Sequence, residues 1–219
     1  MFDPRSADIL ATQKTLPAVP SERLLADSIR QRFVLPPSWQ PEQLREIDPN
    51  AGTLVPAAVL LAIVARPTPT VLLTVRSAHL HVHAGQIAFP GGKIDAQDAD
   101  SIGAALREAH EEIGLHPSSV DVLGALPAFS TGTGFSVTPV VGLVQQGVPL
   151  VPNPGEVDHV FEVPLSFALN PANHLRQQME FQGRLRKWYA IPYRQDDREF
   201  YIWGATAGML RNFYHFLMA

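Results

Sequence analysis

The segment between Gly91 and Leu115 constrains the fold of this chain most strongly, because a pair of glycines is followed by one long amphipathic pattern. Its apolar residues recur at helical spacing and would form one buried stripe: Ile102, Leu106, Ala109 and Ile113. Ser101 is a suitable N-cap, and Gly114 can adopt the left-handed conformation that ends a helix. The pattern therefore predicts a helix between Ser101 and Gly114, with one face against a core.

The polar face of this helix carries three carboxylates. Residues three and four apart are neighbours on a helix, so Glu108, Glu111 and Glu112 share a small area. Repulsion between such like charges costs about 0.2–0.5 kcal/mol per pair, and Arg107 is the cation next to them in sequence. A divalent cation would relieve this repulsion, and oxygen ligands suit magnesium, manganese or calcium. The competing interpretation is an ordinary solvated acidic face.

The same residues resemble the signature of the Nudix hydrolase family, G-x5-E-x7-R-E-U-x-E-E-x-G-U, in which U is a bulky aliphatic residue. Residues 107–115, REAHEEIGL, match its second half apart from the small Ala109 in an aliphatic position. In the first half, counting back from Arg107 puts Lys93 and Ala99 where the family has glycine and glutamate. One inserted loop residue would place Gly92 and Asp98 there instead, with aspartate replacing glutamate. The resemblance implies an α/β fold of the Nudix type, an α/β/α sandwich with a mixed sheet between helices, and hydrolysis of pyrophosphate bonds.

The resemblance also implies roles within this segment. Glu108 and Glu112 would be ligands of Mg2+ or Mn2+, and Glu111 would be a further ligand or the base that orients water. Gly92 would offer its carbonyl to the metal. Arg107 is expected to pair with an acid and to fix its rotamer.

A catalytic base can also lie outside the signature, since several members of the family place an acid on a later loop. Glu156, within the sequence NPGEV, is the candidate in this chain, and Glu162 is the runner-up. A solvated loop acid without catalytic function is the competing interpretation of either residue.

A second motif lies just before the glycine pair. Residues 72–77, LLTVRS, and residues 83–92, HAGQIAFPGG, resemble the motif found upstream of the Nudix signature in coenzyme A pyrophosphatases. His81 stands near the place where that motif has an arginine. The resemblance implies that six residues contact substrate: Arg76, His81, His83, Gly85, Gln86 and Phe89.

Some residues in this motif have other interpretations. Arg76 would bind a substrate phosphate with its planar guanidinium, or would pair with an acid at the end of a strand. His79, His81 and His83 alternate as on one face of a strand and could together bind zinc or copper. A loop that contacts substrate phosphate is favoured over that metal site, and a structural role is favoured for at least one of the three histidines.

The remaining pattern predicts strands and a final helix around this segment. Residues 57–65 and 70–75 are expected to form a hairpin, and residues 120–126 and 137–144 to form two further strands. A helix is predicted near residues 204–217. Strands interleaved with helices are typical of a mixed sheet between helical layers.

Two regions are predicted along the chain. Residues 1–50 would form an N-terminal helical extension packed on the domain, and residues 51–219 the Nudix hydrolase domain. Leu25, Ile29 and Phe33 recur every four residues and predict a helix within the extension.

Composition limits the function classes. A net charge of -4 argues against a general nucleic-acid binder, whose affinity depends on clustered lysine and arginine. The absence of cysteine excludes disulfides, thiol catalysis and a cysteine–zinc site. The first residues lack the pattern of a signal peptide, and the longest apolar run, residues 54–65, is too short for a bilayer span. We therefore expect a cytoplasmic protein that binds neither nucleic acid nor membranes.

The leading hypothesis is divalent-metal-dependent hydrolysis of the pyrophosphate bond of coenzyme A or its thioesters, giving phosphopantetheine and adenosine 3',5'-bisphosphate. One alternative is a Nudix hydrolase of another nucleoside diphosphate linked to a group X, such as ADP-ribose, a dinucleotide or a nucleoside triphosphate. An alternative of another class is a non-catalytic module that binds a nucleotide. The expected partner is a small nucleotide-type molecule such as coenzyme A, and a homodimer is left open.

Overall fold

The computed structural model describes residues 3–42, 53–80, 82–181 and 183–219. Within these ranges the helices are α1 (Ala26–Val34), α2 (Ser101–Ile113), α3 (Leu165–Ala168) and α4 (Gly204–Met218). The strands are β1 (Asp8–Thr12), β2 (Val55–Ala65), β3 (Thr70–Arg76), β4 (Ile87–Ala88), β5 (Gly91–Lys93), β6 (Val120–Ala125), β7 (Phe129–Ser130), β8 (Phe135–Gln145), β9 (Val157–Pro164), β10 (Leu175–Phe181), β11 (Arg184–Gln195) and β12 (Arg198–Trp203). No helix in these ranges combines the length and the apolar composition that a membrane span requires.

The larger sheet contains both parallel and antiparallel pairs. Strands β2 and β8 run parallel along their whole length, from the pair Val55 and Phe135 to the pair Ala65 and Gln145. The predicted hairpin is confirmed, since β2 and β3 pair antiparallel. The order is β4-β3-β2-β8-β6, with β5 beside β2, β7 beside β8 and β9 beside β3. The mixed sheet that the sequence predicts is therefore confirmed.

Side chains of β2 alternate between two cores, one on each face of this sheet. The face toward α2 buries Ala58, Leu60, Ala62 and Val64 with Ala104, Ala105, Ala109 and Ile113 of the helix. The opposite face buries Ala57, Leu61 and Ile63 in one cluster with Leu210 and Phe213 of α4. The sheet thus lies between helical layers, as the predicted α/β/α sandwich requires.

A second, antiparallel sheet has the strand order β1-β10-β11-β12. It contributes to the core on the α4 face through residues of β11 and β12: Tyr189, Ile191, Phe200 and Ile202. Strand β1 comes from the part of the chain predicted to be a helical extension, where α1 occupies the position of the predicted helix. The sequence patterns do not predict β1 or the assembly of a separate sheet.

The caps of α2 differ in how well the sequence predicts them. Gly114 has a φ of 69° and caps the C-terminus, as predicted. The N-cap is Asp100, so the prediction of Ser101 is wrong by one residue. The Asp100 carboxylate accepts a hydrogen bond of 2.8 Å from the Gly103 N–H, which gives an unpaired N–H of the first turn a partner.

Candidate active site

The glycine pair before α2, Gly91 and Gly92, packs directly on two carboxylates that were predicted to be metal ligands. The Gly91 N–H donates to the Glu112 carboxylate at 3.1 Å. A Cβ atom at Gly92 would lie 2.5 Å from the carboxyl carbon of Glu108, so any side chain there would displace that group. Both glycines belong to β5, which pairs with β2, so the predicted glycine turn is a strand. Both carboxylates therefore lie against the backbone, one of them beside the predicted carbonyl ligand.

Arg107 joins the remaining acids of this segment. Its guanidinium makes two hydrogen bonds of 2.9 Å to Asp98 and one of 3.0 Å to each of Glu108 and Glu111. Hydrogen bonding to Arg107 lowers the pKa of Asp98 to about 2. The predicted pairing of Arg107 with an acid is therefore present, and Asp98 is the acid with two bonds to it.

Glu112 is almost fully buried, with 3% of its surface exposed. Burial raises its pKa to about 7, and repulsion from Glu108 and Glu156 acts in the same direction. The hydrogen bond from Gly91 and the charge of Arg76 oppose this shift without cancelling it. Burial also raises the pKa of Glu108, against its pairing with Arg107. The site thus holds more negative charge than its cations neutralise.

Glu156 lies on the loop before β9, close enough to Glu108 and Glu112 to raise the pKa of both. The Asn153 side-chain amide donates to the Glu156 carboxylate at 3.1 Å, and the Asn153 N–H donates to the Glu112 carbonyl at 2.9 Å. The Ser77 N–H donates to the Glu156 carbonyl at 2.8 Å. Asn153 therefore positions the candidate base. The sequence analysis did not select it, although Asn-Pro-Gly is a recognisable turn signal.

The upstream motif reaches the same carboxylate through Arg76, at the end of β3. One guanidinium nitrogen of Arg76 lies 3.4 Å from the Glu112 carboxylate. The Gly85 N–H donates to the Arg76 carbonyl at 3.0 Å, and the Arg76 N–H donates to the Gln86 carbonyl at 2.9 Å. Gly85 has a φ of 68°, which favours glycine. The motif therefore folds into a tight loop that begins and ends beside Arg76.

The other predicted substrate contacts have different environments. His83 is exposed, and its Nδ1 lies 2.9 Å from the side-chain oxygen of Gln86. Phe89 has 2% of its surface exposed and packs in the core on the α4 face, an environment that does not favour its predicted contact with substrate. The predicted role of His81 falls outside the described residues.

Glu162, the alternative base, has other partners. Arg66 pairs with it at 2.7 Å, and the Thr70 hydroxyl donates to it. Both contacts lie near the β2–β3 turn rather than at α2. Glu156 is therefore the later-loop acid that the structure brings to the predicted site.

The donor set suits a divalent cation. In the described ranges, no three histidine, aspartate or glutamate side chains are already spaced as ligands of one ion. Five carboxylates nevertheless share the two guanidinium groups of Arg76 and Arg107: Asp95, Asp98, Glu108, Glu111 and Glu112. The charge of Glu156 raises the pKa of two of them, Glu108 and Glu112. All these ligand atoms are oxygens, as Mg2+ and Mn2+ prefer. Because Gly92 has no side chain, its backbone can lie directly against the Glu108 carboxylate.

Comparison with known proteins identifies the class to which this fold and site belong. The family model of the NUDIX domain matches residues 54–203, and the chain therefore belongs to the Nudix family. Proteins of this family generally use divalent cations such as Mg2+ or Mn2+.

Among curated relatives, the uncharacterized Nudix hydrolase NudL of Escherichia coli (strain K12) is 46% identical over 155 residues, which is 71% of this chain and 79% of NudL. The NudL protein of Shigella boydii serotype 18 has the same identity and coverage. The Nudix hydrolase RenU of M. smegmatis has a TM-score of 0.44 at 27% identity, covering 51% of this chain and 71% of RenU. The NUDIX domain of Shewanella oneidensis NrtR, solved with ADP ribose, has a TM-score of 0.42 at 22% identity, covering 57% of this chain and 82% of that one.

Proposed function

We propose that this protein hydrolyses the pyrophosphate bond of coenzyme A or its thioesters with Mg2+ or Mn2+, giving phosphopantetheine and adenosine 3',5'-bisphosphate. One observation carries the proposal: both sequence motifs converge on Glu112. Arg76, from the upstream motif, lies 3.4 Å from this carboxylate, and the Gly91 N–H donates to it at 3.1 Å. The motif that resembles coenzyme A pyrophosphatases is thus in direct contact with the helix of the Nudix signature.

Glu108, Glu112 and the Gly92 carbonyl would hold the cation, with Glu111 as a further ligand. When bound, the cation neutralises charge on the phosphoryl oxygens and lowers the pKa of water. Arg107 restrains Glu108 and Glu111 through its two bonds of 3.0 Å and is itself fixed by Asp98. This restraint keeps the ligand carboxylates in one orientation before substrate arrives.

The attacking water needs a group that accepts its proton. Glu156 suits this role, because its carboxylate is oriented by the Asn153 amide and is near Glu108 and Glu112. Glu111 is the other candidate, and its side chain is 53% exposed. The proton of the water would pass to a carboxylate oxygen of one of these two acids as the new P–O bond forms. The P–O bond to the bridging oxygen of the pyrophosphate would break in the same step, and the second phosphate would leave with the bonding electron pair.

Arg76 supports binding of the pyrophosphate itself. Its side chain is 25% exposed, and its Nε is buried without a hydrogen-bond partner among the described residues. A phosphate oxygen next to Glu112 would meet this guanidinium, which then would divide its donors between the carboxylate and the substrate. Gln86 and His83, on the adjoining loop, are further proposed contacts, and His81, which is outside the described residues, is proposed with them. A cytoplasmic location is also proposed.

The test is incubation of the purified protein with coenzyme A, with and without Mg2+ or Mn2+, followed by mass spectrometry of the products. ADP-ribose and a dinucleotide serve as parallel substrates. We expect metal-dependent release of phosphopantetheine and adenosine 3',5'-bisphosphate. Cleavage of the parallel substrates alone would overturn the coenzyme A assignment, and no cleavage of any would favour a nucleotide-binding module.

A matched pair of arginine variants tests the contribution of the upstream motif. Arg76→Ala should raise KM for coenzyme A about tenfold, since a charged hydrogen bond to phosphate contributes about 1.5–3 kcal/mol. Arg66→Ala is the control, because Arg66 also pairs with a glutamate, Glu162, but away from α2. An unchanged KM in Arg76→Ala would remove this residue from the substrate site.

A further inference from the structure

A cleft of about 340 Å³ opens between the loop after β3 and the strand β12. Gly85 and Gln86 line one side of it, and Arg198, Phe200 and Tyr201 line the other. Its volume is typical of small-molecule sites, which measure roughly 300–1,000 Å³. None of the three β12 residues belongs to either sequence motif.

Two guanidinium groups line this cleft and are held by aromatic rings. The Arg198 guanidinium carbon lies 4.9 Å from the centre of the Phe200 ring, and that of Arg5 lies 5.2 Å from the centre of the Tyr201 ring. Arg5 also lies 3.7 Å from Glu199, with both side chains about half exposed. In the described part of the chain, no carboxylate forms an ion pair with Arg198. Its donors are therefore available to an anion such as a phosphate.

A stack of planar side chains continues from the same strand. The rings of Phe161 and Phe200 stack with their centres 3.9 Å apart. The His159 ring is parallel to both, at 6.2 Å and 6.0 Å, and His159 is exposed. It pairs in register with Val75, which lines the cleft. An exposed planar ring of this kind can stack on a nucleobase.

The cleft and the proposed metal site share one strand end. Val75 lines the cleft, and the next residue, Arg76, contacts Glu112. Hydrogen bonds from the Gly85 N–H to the Arg76 carbonyl and from the Arg76 N–H to the Gln86 carbonyl close the loop that follows this strand end. A substrate with its pyrophosphate at Arg76 therefore has this cleft beside it.

We infer that the cleft binds the phosphorylated nucleoside end of the substrate, with Arg198 and Arg5 on its ribose phosphate and His159 available to its base. This inference rests on the proposed function, because the adenosine 3',5'-bisphosphate part of coenzyme A carries both a base and a phosphate outside the pyrophosphate. The neutral pantetheine arm has no anion for the two guanidinium groups. Arg198 is thus a specificity-determining residue for the 3'-phosphate.

Equilibrium binding tests the cleft without turnover. Calorimetry without metal would compare adenosine 3',5'-bisphosphate with adenosine 5'-monophosphate, which lacks only the 3'-phosphate. We expect the bisphosphate to bind about tenfold more tightly than the monophosphate. Arg198→Ala should bind the two nucleotides with equal affinity. Arg198→Lys should keep part of the preference for the bisphosphate. Arg194→Ala is the control, since Arg194 is an exposed arginine on the neighbouring strand β11 that does not line the cleft.

Equal affinity for the two nucleotides in the unaltered protein, or an unchanged ratio in Arg198→Ala, would overturn the inference.

Kinetics give a second, independent test with coenzyme A and dephospho-coenzyme A as paired substrates. Arg198→Ala should lower kcat/KM about tenfold for coenzyme A and less than about twofold for the dephospho form. An equal fall for both would reject the 3'-phosphate assignment. Failure of the unaltered protein to cleave either substrate would reject the proposed function, while the binding ratio would still decide whether the cleft selects the phosphorylated nucleoside.

Discussion

Two partly or fully buried glutamates, Glu42 and Glu112, have opposite electrostatic environments. Burial would raise the pKa of Glu42, but hydrogen bonds from His215, Tyr189 and Arg211 together lower it to about 2. These donors lie at 3.1 Å, 2.7 Å and 3.1 Å from its carboxylate. At Glu112, burial prevails and raises the pKa to about 7.

The difference lies in the ratio of donors to carboxylates. Glu42 is a single acid with three donors, and it connects the segment after α1 to β11 and α4. Glu112 instead shares its surroundings with Glu108 and Glu156, and its nearest cation, Arg76, is 3.4 Å away. A carboxylate with enough hydrogen-bond donors stabilises the fold. A carboxylate buried beside other carboxylates would instead be stabilised by an added cation. The same substitution at the two positions should therefore have different effects.

Glu112→Gln should lower turnover of coenzyme A by about a hundredfold or more, because it would remove a charged ligand of the proposed cation. Glu42→Gln, the matched control, should leave turnover within about twofold, since Glu42 belongs to a structural cluster. Steady-state kcat with Mg2+ would be measured for both variants and for Glu108→Gln. Near-normal turnover in both Glu108→Gln and Glu112→Gln would contradict the assignment of these residues as metal ligands.

Glu42→Gln should lower the free energy of unfolding by about 2–3 kcal/mol, because Arg211 would be left as a buried charge without its counter-ion. Arg211 has 3% of its surface exposed. Urea denaturation at pH 7.5 would measure this loss, and Glu112→Gln should show none. Equal destabilisation by the two variants would contradict the contrast between the sites.

The pH dependence of stability should have opposite signs at the two sites. Between its ordinary pKa of 4.5 and about 7, Glu112 keeps its proton in the native state and loses it in the unfolded state. Its contribution to stability is therefore present below pH 4.5 and is lost as the pH rises through 7, a change of about 3 kcal/mol. The contribution of Glu42 is present above pH 4.5 and is lost as the pH falls toward 2.

Urea denaturation without metal at pH 5 and pH 7.5 would measure the Glu112 part of this dependence. Glu112→Gln should lack the loss of stability that the unaltered protein shows between these two values. A parallel change in both proteins would place the titrating group elsewhere.

Mg2+ should raise the thermal stability of the unaltered protein at pH 7.5, because the cation binds the native carboxylates and not the unfolded chain. At tenfold excess over its Kd, the expected gain is about 1.4 kcal/mol. Differential scanning calorimetry should find the gain retained in Glu42→Gln and reduced in Glu108→Gln and Glu112→Gln. The same gain in every variant would indicate a cation bound outside α2.

Elements whose patterns are local were predicted from the sequence. Helix α2 and the β2–β3 hairpin were predicted because apolar periodicity and turn residues lie within each element. The N-cap was wrong because Asp100 and Ser101 are both good caps, and only the observed bond to Gly103 distinguishes them. Strand β1 was missed because its five residues are all exposed and its partner β10 follows more than a hundred residues later.

The candidate site was predicted in part, and the reason is again distance along the chain. The positions of Glu108, Glu111 and Glu112 on one helix follow from their spacing alone. The contact of Arg76 with Glu112 joins residues 36 positions apart. The cleft at Arg198 joins more distant segments still, and no spacing rule brings β12 beside Gln86.

The sequence by itself determined which residues share the carboxylate helix, because helical geometry is a local property. The tertiary structure decided which glutamate has enough hydrogen-bond donors to stay ionised, Glu42, and which is buried beside other carboxylates, Glu112. Glu42 and Glu112 are the same residue type, and their pKa values differ because burial and the distances to charged neighbours arise only when strands and helices pack.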